Sequence, residues 1–199
     1  MVAYIFQKIA DRGTAAGITD TNTVDARNWF RASAKKINSV NDKRIMKDKE
    51  RLTNRMGRYS IGRMYMFYYD PKTKDQLPYW DRFPLIFPIE MYPDGFLGIN
   101  LHYLPPLLRA RLMNALYLTL NNQKFDDTTR LRISYSILKS ASRFKFFEPC
   151  VKRYLFSHVR SRYYYVAPSE WDMALMLPTE RFVGAQKAKV FRESSRTIP

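Results

Sequence analysis

Between Gly62 and Pro106 the chain alternates aromatic or β-branched runs with turn residues, GRMYMFYYDPKTKDQLPYWDRFPLIFPIEMYPDGFLGINLHYLPP. Short runs of this kind, bounded by proline, aspartate and glycine, are strand signals. The pattern predicts strands near residues 63–69, 83–90 and 95–101. Asp70-Pro71 and Pro93-Asp94-Gly95 mark turns, because proline presets φ and glycine accepts a positive one. Pro84 and Pro88 confine their strand to an edge or an irregular path, since proline cannot donate to a ladder. Short aromatic strands usually close on themselves, so the centre is expected to be a small curled antiparallel β-barrel, SH3-like or OB-like.

The periodicity then changes from two to nearly four. Beyond Pro105-Pro106, Leu108, Leu112, Leu116 and Leu120 fall four apart and share one helix face. Asp126 or Asp127 is placed to cap a helix over DTTRLRISYSILKSA. EPCVKRYLFSHVRSR is expected to be helical from about Pro149. RYYYVAP is expected to be extended, because tyrosine and valine favour strand and Pro168 disfavours helix before it. Ser169 is read as the cap of SEWDMALML and Thr179 as the cap of a last helix, TERFVGAQKAKVFRES.

The N-terminal part shows weaker periodicity. TAAGITDTNTVDA is small and polar and is expected to be extended. VDARNWFRASAKKI can form a short helix with Thr23 as N-cap and Asp25 in the first turn. Trp29 and Phe30 would anchor it and leave Arg27, Arg31, Lys35 and Lys36 largely in solvent. KDKERLTNRMGR has too few apolar residues to form a core alone, so it should wrap a partner or lie along the rest of the chain. The whole is expected to be α+β: a basic arm with short helices over residues 1–57, the barrel over 58–104 and a mainly helical part over 105–199 packed on it.

Charge changes this picture from fold to partner. The 199 residues carry 34 Lys and Arg against 18 Asp and Glu, a net +16, with pI near 10. Residues 1–60 hold 13 basic and 6 acidic groups, 61–130 hold 8 and 7, and 131–199 hold 13 and 5. Positive charge therefore sits at both ends of a nearly neutral centre. Such a balance speaks to partners and not to fold. Polyanions are its natural counterpart, because neutralised phosphates release counterions; an acidic protein or a membrane surface would satisfy the same charge. With 46% hydrophobic and 15% aromatic residues the chain has material for a core. A single cysteine, an opening MVAYIFQKIADRG without a signal-peptide core, and no apolar run of spanning length predict a soluble protein made in a reducing cytoplasm.

Candidate chemistry is sparse. His102, His158 and Cys150 are too few and too far apart for a structural zinc. Cys150 and His158 are expected to be a buried thiol and a half-buried imidazole. No nucleophile elbow and no phosphate-binding glycine loop occurs. Asp70-Pro71-Lys72 matches half of a nuclease motif, but no acidic residue precedes it on a neighbouring strand. The other carboxylates, Asp75, Asp81, Asp94 and Asp126-Asp127, form no cluster in sequence. The reading is a binding protein without catalytic residues, metal or cofactor.

The basic residues are more instructive. Arg132, Lys139 and Arg143 share a helix face, and Lys145, Lys152, Arg153, Arg160 and Arg162 follow. Phe146, Phe147, Tyr154 and Tyr163 to Tyr165 lie among them. Lysine and arginine can neutralise phosphates, and aromatic rings can stack on unpaired bases at a strand end. These are the candidate contacts to nucleic acid or an acidic partner, with Arg27, Arg31, Lys35 and Lys36 as contacts from the arm. The competing reading is a solvated helix face whose aromatics belong to the core.

MYMFYYDPKTKDQLPYWDRFPLIFPI, DGFLGINLHYLPPLLRARLMNALY, NNQKFDDTTRLRISYSIL and PSEWDMALMLPTERFVGAQKAKVFRESSR together resemble virion proteins of T-even-type tailed phages. The similarity covers roughly residues 58–195 and is to the DNA end protector family of marine and cyanobacterial myophages. It implies a structural virion protein, assembled in the host cytoplasm, that sits on the packaged DNA terminus at the head–tail junction and shields it from exonuclease. Double-stranded DNA ends and other phage structural proteins would be its partners, in a symmetric assembly and without a membrane. The same residues would suit a neck, tail or baseplate subunit with no direct DNA role.

Overall fold

The fold was analysed in a computed structural model that describes residues 5–20, 23–120, 135–140 and 145–196, with backbone alone for 115–120 and 145–147. Two helices come first, α1 (Ile5–Ala15) and α2 (Val24–Lys35), then a single turn α3 (Asp42–Ile45). Strands β1 (Leu52–Thr53), β2 (Met64–Met66), β3 (Trp80–Asp81), β4 (Leu85–Tyr92) and β5 (Gly95–Asn100) follow. Helix α4 (Pro106–Leu120) and the helical stretch α5 (135–140) lead to β6 (Val151–Leu155) and β7 (Tyr163–Val166). The chain continues through α6 (Trp171–Met176), β8 (Phe182–Val183) and α7 (Lys187–Arg196).

Among the described residues, six strands form one antiparallel sheet in the order β1-β7-β2-β4-β5-β6, and β3 pairs β8 beside it. The expected SH3-like or OB-like barrel is not formed, because β1 and β6 end the sheet without pairing to each other. The connection from β6 to β7 instead crosses the sheet end, where Tyr69 bridges Val159. There Asp70 N–H donates to His158 O at 3.1 Å and Arg160 N–H to Tyr68 O at 2.8 Å. The α+β class stands, and the sheet curls without closing.

The centre was legible. Tyr92 pairs Gly95, so Pro93-Asp94 form a two-residue hairpin loop between β4 and β5. A Cβ at Gly95 would lie 1.9 Å from the Tyr154 carbonyl oxygen, so only glycine lets β6 approach this closely. Strand β4 is interior and not an edge, but its register slips between Pro88 and Glu90, a bulge that accommodates the proline.

The two sheet faces bury different cores. On one face Met64, Met66, Leu85, Phe87, Ile99, Tyr164 and Val166 pack against α1, α2, α4 and α6. Phe6, Ile9 and Gly13 give α1, in the part expected to be an arm with short helices, a buried stripe at helical spacing. Helix α6 lies among α1, α2 and α4, and Trp171 crosses Phe87 edge-on at 5.0 Å. On the other face Tyr65, Phe67, Tyr69, Ile86, Phe96, Tyr154 and Tyr163 form an aromatic cluster. Phe96 stacks on Tyr154 at 5.2 Å, and Phe67 meets Tyr163 at 5.1 Å.

Helix α2 begins as expected, the Thr23 hydroxyl accepting from Ala26 N–H at 3.1 Å. Thr23→Ala is expected to cost about 1 kcal/mol in a urea unfolding titration; an unchanged midpoint would show that the cap contributes nothing. Arg31 is not in solvent, since it donates to Asp172 at 2.7 Å and to Asn114 at 2.9 Å. The stretch after Pro149 is not helical. Its basic residues recur at helical spacing, but Val151 and Tyr154 pair with Ile99 and Phe96 on the open edge of β5, and that burial decides the conformation.

Ser169 is not a cap: a 3₁₀ turn over Pro168–Glu170 opens α6. Nor does Thr179 start a helix, because the following residues enter β8 and α7 begins only at Lys187. Arg51, from the charged segment expected to wrap a partner or lie along the rest of the chain, does the second at this point, making a fork to both carboxylate oxygens of Glu170 at 2.6 and 3.1 Å. The expected helix at Asp126 or Asp127 falls mostly outside the described residues.

Candidate nucleic-acid interface

A cleft of about 400 Å³ opens where the segment after β1 meets the β6–β7 connection, lined by Asn54, Arg55, Met56, Phe156, Val159, Ser161 and Tyr163. Its floor is the edge of the aromatic cluster, and Met56, Phe156 and Val159 pack against that cluster. Its rim is basic. Arg55 is exposed, and Arg162, also exposed, lies between two lining residues. Arg160 is exposed and only 3.8 Å from Asp70, a long and solvated pair. Arg58 and Arg63 are exposed on the next segment of the same strand connection.

A second cavity of about 370 Å³ lies on the other side of the Tyr69–Val159 bridge. Tyr69, Tyr79, Trp80, Tyr103 and Tyr154 wall it, with Lys72, Lys152 and Arg153 among its lining. Lys152 Nζ stands 4.5 Å from the centroid of the Tyr103 ring, and burial lowers its ammonium below the usual lysine value. Arg153 is held in place: it pairs with Asp94, donates to Tyr154 O at 2.8 Å and covers the Tyr92 ring at 4.4 Å. Burial first, then Glu193, pushes the Tyr79 phenol up to about 12.

Beneath this cavity sits a buried polar network that sequence reasoning missed. Asp81 Oδ2 meets His102 Nδ1 at 2.6 Å and accepts from Asn100 Nδ2 at 3.1 Å; its Oδ1 accepts from Phe83 N–H and Arg181 N–H. His102 Nε2 meets the Thr179 hydroxyl at 2.9 Å. Burial acts to raise the Asp81 carboxyl, but His102 and the donated hydrogen bonds outweigh it and hold the group below its usual value. Hydroxyl, imidazole and carboxylate stand in the order used for nucleophilic catalysis. Thr179 and His102 are both 0% exposed, however, so no substrate reaches the hydroxyl. The network joins β3, β5 and the segment before β8, and its work is structural. His102 is fully buried; Cys150 is buried and His158 half-buried as expected, the His158 Nδ1 lying 2.9 Å from Asp70 O.

The candidate contacts separate into groups. Lys152 and Arg153 line the aromatic cavity, and Arg160 and Arg162 belong to the connection beside the cleft. Lys139 lies 5.7 Å over the Tyr135 ring and, with Arg153, acts electrostatically on Tyr92. Lys145 is in a 3₁₀ stretch, Lys145–Cys150. Arg132 and Arg143 lie outside the described residues. Lys35 and Lys36 are exposed at the end of α2, Arg27 is half-buried, and Arg31 serves the ion pair with Asp172. Arg55 was overlooked because it lies in a segment read only as charged and unanchored.

The other chemistry is bland. Cys150 is buried, which pushes its thiol up to about 12, far from a reactive thiolate. Asp70 pairs with Lys74 at 3.2 Å in a turn. Among the described residues no group of three or more His, Cys, Asp or Glu could hold a metal ion, and no helix is long and apolar enough to cross a membrane.

No curated protein matches the chain, and no solved structure does. A family model described as "Phage T4 terminal DNA protecting protein" matches residues 5–196, nearly the whole of it. The chain belongs to the phage T4 terminal DNA protecting protein family, a family of DNA end protectors.

Proposed function

We propose that this chain protects a DNA terminus by covering it, without turning it over, and that the cleft between residues 54–56 and 156–163 is the face that meets the duplex. The observation that carries this reading is the exposed Arg55 in the lining of a cleft that also holds Phe156 and Tyr163, with Arg160 and Arg162 exposed on the connection that supplies Val159, Ser161 and Tyr163 to it. Guanidinium groups neutralise backbone phosphates and fix register without reading sequence, which is what a protector of any terminus needs. Among the described residues the lining of the cleft includes no carboxylate, and Asp70, which lies 3.8 Å from Arg160, is also engaged by Lys74. Lys139 and the end of α2 are proposed as flanking contacts. A place in the virion at the head–tail junction, beside other phage structural proteins, follows from the same role.

The test is protection of linear duplex DNA from an end-dependent exonuclease at moderate salt, with a closed circle as binding control. Stoichiometric protection with weak binding to circles is the expected result. The triple variant Arg55→Glu, Arg160→Glu, Arg162→Glu is expected to lose it. Its log–log salt slope should be shallower by about 0.9 for each phosphate contact removed. Full protection by the triple variant would exclude this face. Absence of protection by the unaltered chain would make it a protein-binding neck or baseplate subunit.

A further inference from the structure

We propose that the aromatic cavity beside β6 takes the last, unpaired nucleotide of a DNA strand, with its base against the tyrosine and tryptophan wall and its phosphate on Lys152. The inference rests on the end-protecting reading and adds the part of the DNA that is recognised. Its volume, about 370 Å³, lies within the range of pockets that hold small ligands. Tyr79 and Trp80 are half-buried and stand at its wall, whereas Tyr69, Tyr103 and Tyr154 are already packed. Flat rings of this kind stack on any base, because every base has a π-face.

The anion-binding partner is Lys152. Among the described residues its ammonium makes no hydrogen bond or ion pair, and it lies over the face of Tyr103. An ammonium withdrawn from water is costly unless an anion meets it, and a cation–π contact offsets only part of that cost. Asp81 also lines the cavity but is committed, each of its carboxylate oxygens already accepting from two partners. Lys72, exposed at the rim, adds a second positive charge. Tyr69 lines the cavity and its bridge partner Val159 lines the cleft, so the two are neighbours across one backbone bridge. A duplex end on the cleft would lie within reach of the cavity.

The experiment uses the full chain and duplexes with a short 5′ or 3′ overhang whose last base is 5-iodouracil, irradiated and mapped by mass spectrometry. Exonuclease protection is read on the same samples. The expected result is crosslinking to Tyr79, Trp80 or Tyr103 with at least one overhang polarity. Lys152→Gln is expected to reduce that crosslink about tenfold, the effect of losing one charge-assisted contact, while exonuclease protection falls less. Protection with crosslinks only elsewhere would overturn the cavity assignment and leave end protection standing. Crosslinking without protection would keep the cavity as a nucleotide site and sink end protection. If free thymidine monophosphate displaces the overhang at lower concentration than an unlabelled duplex end does, the ligand is a free nucleotide and the proposal fails.

Discussion

Replacing Arg109 with alanine is expected to destabilise the fold by about 3–5 kcal/mol, the cost of breaking a buried ion pair from one side. The Arg109 side chain is 1% exposed and has an acceptor for each arm of its fork. It donates to Leu104 O at 2.8 Å, Leu175 O at 2.9 Å, His102 O at 3.1 Å and Glu180 Oε1 at 2.7 Å. Phe191 of α7 lies 5.4 Å beneath the guanidinium. Alanine would leave a buried carboxylate and three carbonyls without their donor, and lysine cannot replace the fork. Urea unfolding of the Arg109→Ala and Arg109→Lys variants measures this. A loss below about 1 kcal/mol in both would mean that water replaces the guanidinium at little cost.

Asp81→Asn is expected to flatten the acid limb of the stability curve. The Asp81 carboxyl is held below its usual value in the folded protein, so the unfolded chain binds the proton more readily. Its contribution is therefore fully present above the unfolded carboxylate value, about pH 3.9, and is lost as pH falls through the lower folded value. Glu180 acts in the same direction, because His102 and Arg109 outweigh the burial that would raise it. Glu170 acts in the opposite one, since burial raises it despite Arg51. Only Asp81 differs between the two proteins, so the difference between their curves isolates it. Melting temperatures from about pH 2 to pH 6 should fall more steeply for the unaltered chain below about pH 4. Parallel curves would show that Asp81 titrates alike in both states.

The hairpin of β4 and β5 was readable because Pro-Asp-Gly constrains its own backbone, and the Thr23 cap because its partner is three residues away. Strand β6 was not, since lysine and arginine at helical spacing outweigh a strand signal until the open edge of β5 is present to pair with it. The same dependence on distant partners hid the network below the cavity: Asp81 and His102 are 21 positions apart, and His102 and Thr179 are 77. Of the candidate site, Lys152, Arg153, Arg160 and Arg162 stood out as basic residues among aromatics. Their division between cavity and cleft required the bridge at Tyr69, and the role of Arg55 required knowing that β1 lies against β7.

The pairing of β1 with β7 also fixes an order of events in synthesis. Arg51, one residue before β1, finds its Glu170 partner 119 positions later, and β3 waits for β8. Contacts this distant form late and slowly, because a long loop must close before they reward it. A ribosome-bound chain lacking residues beyond 150 has the β4–β5 hairpin, but neither wall of the cleft is complete. The two sides of the cleft therefore come together only after residues 156–166 have been made, and the β4–β5 hairpin is in place before the cleft is.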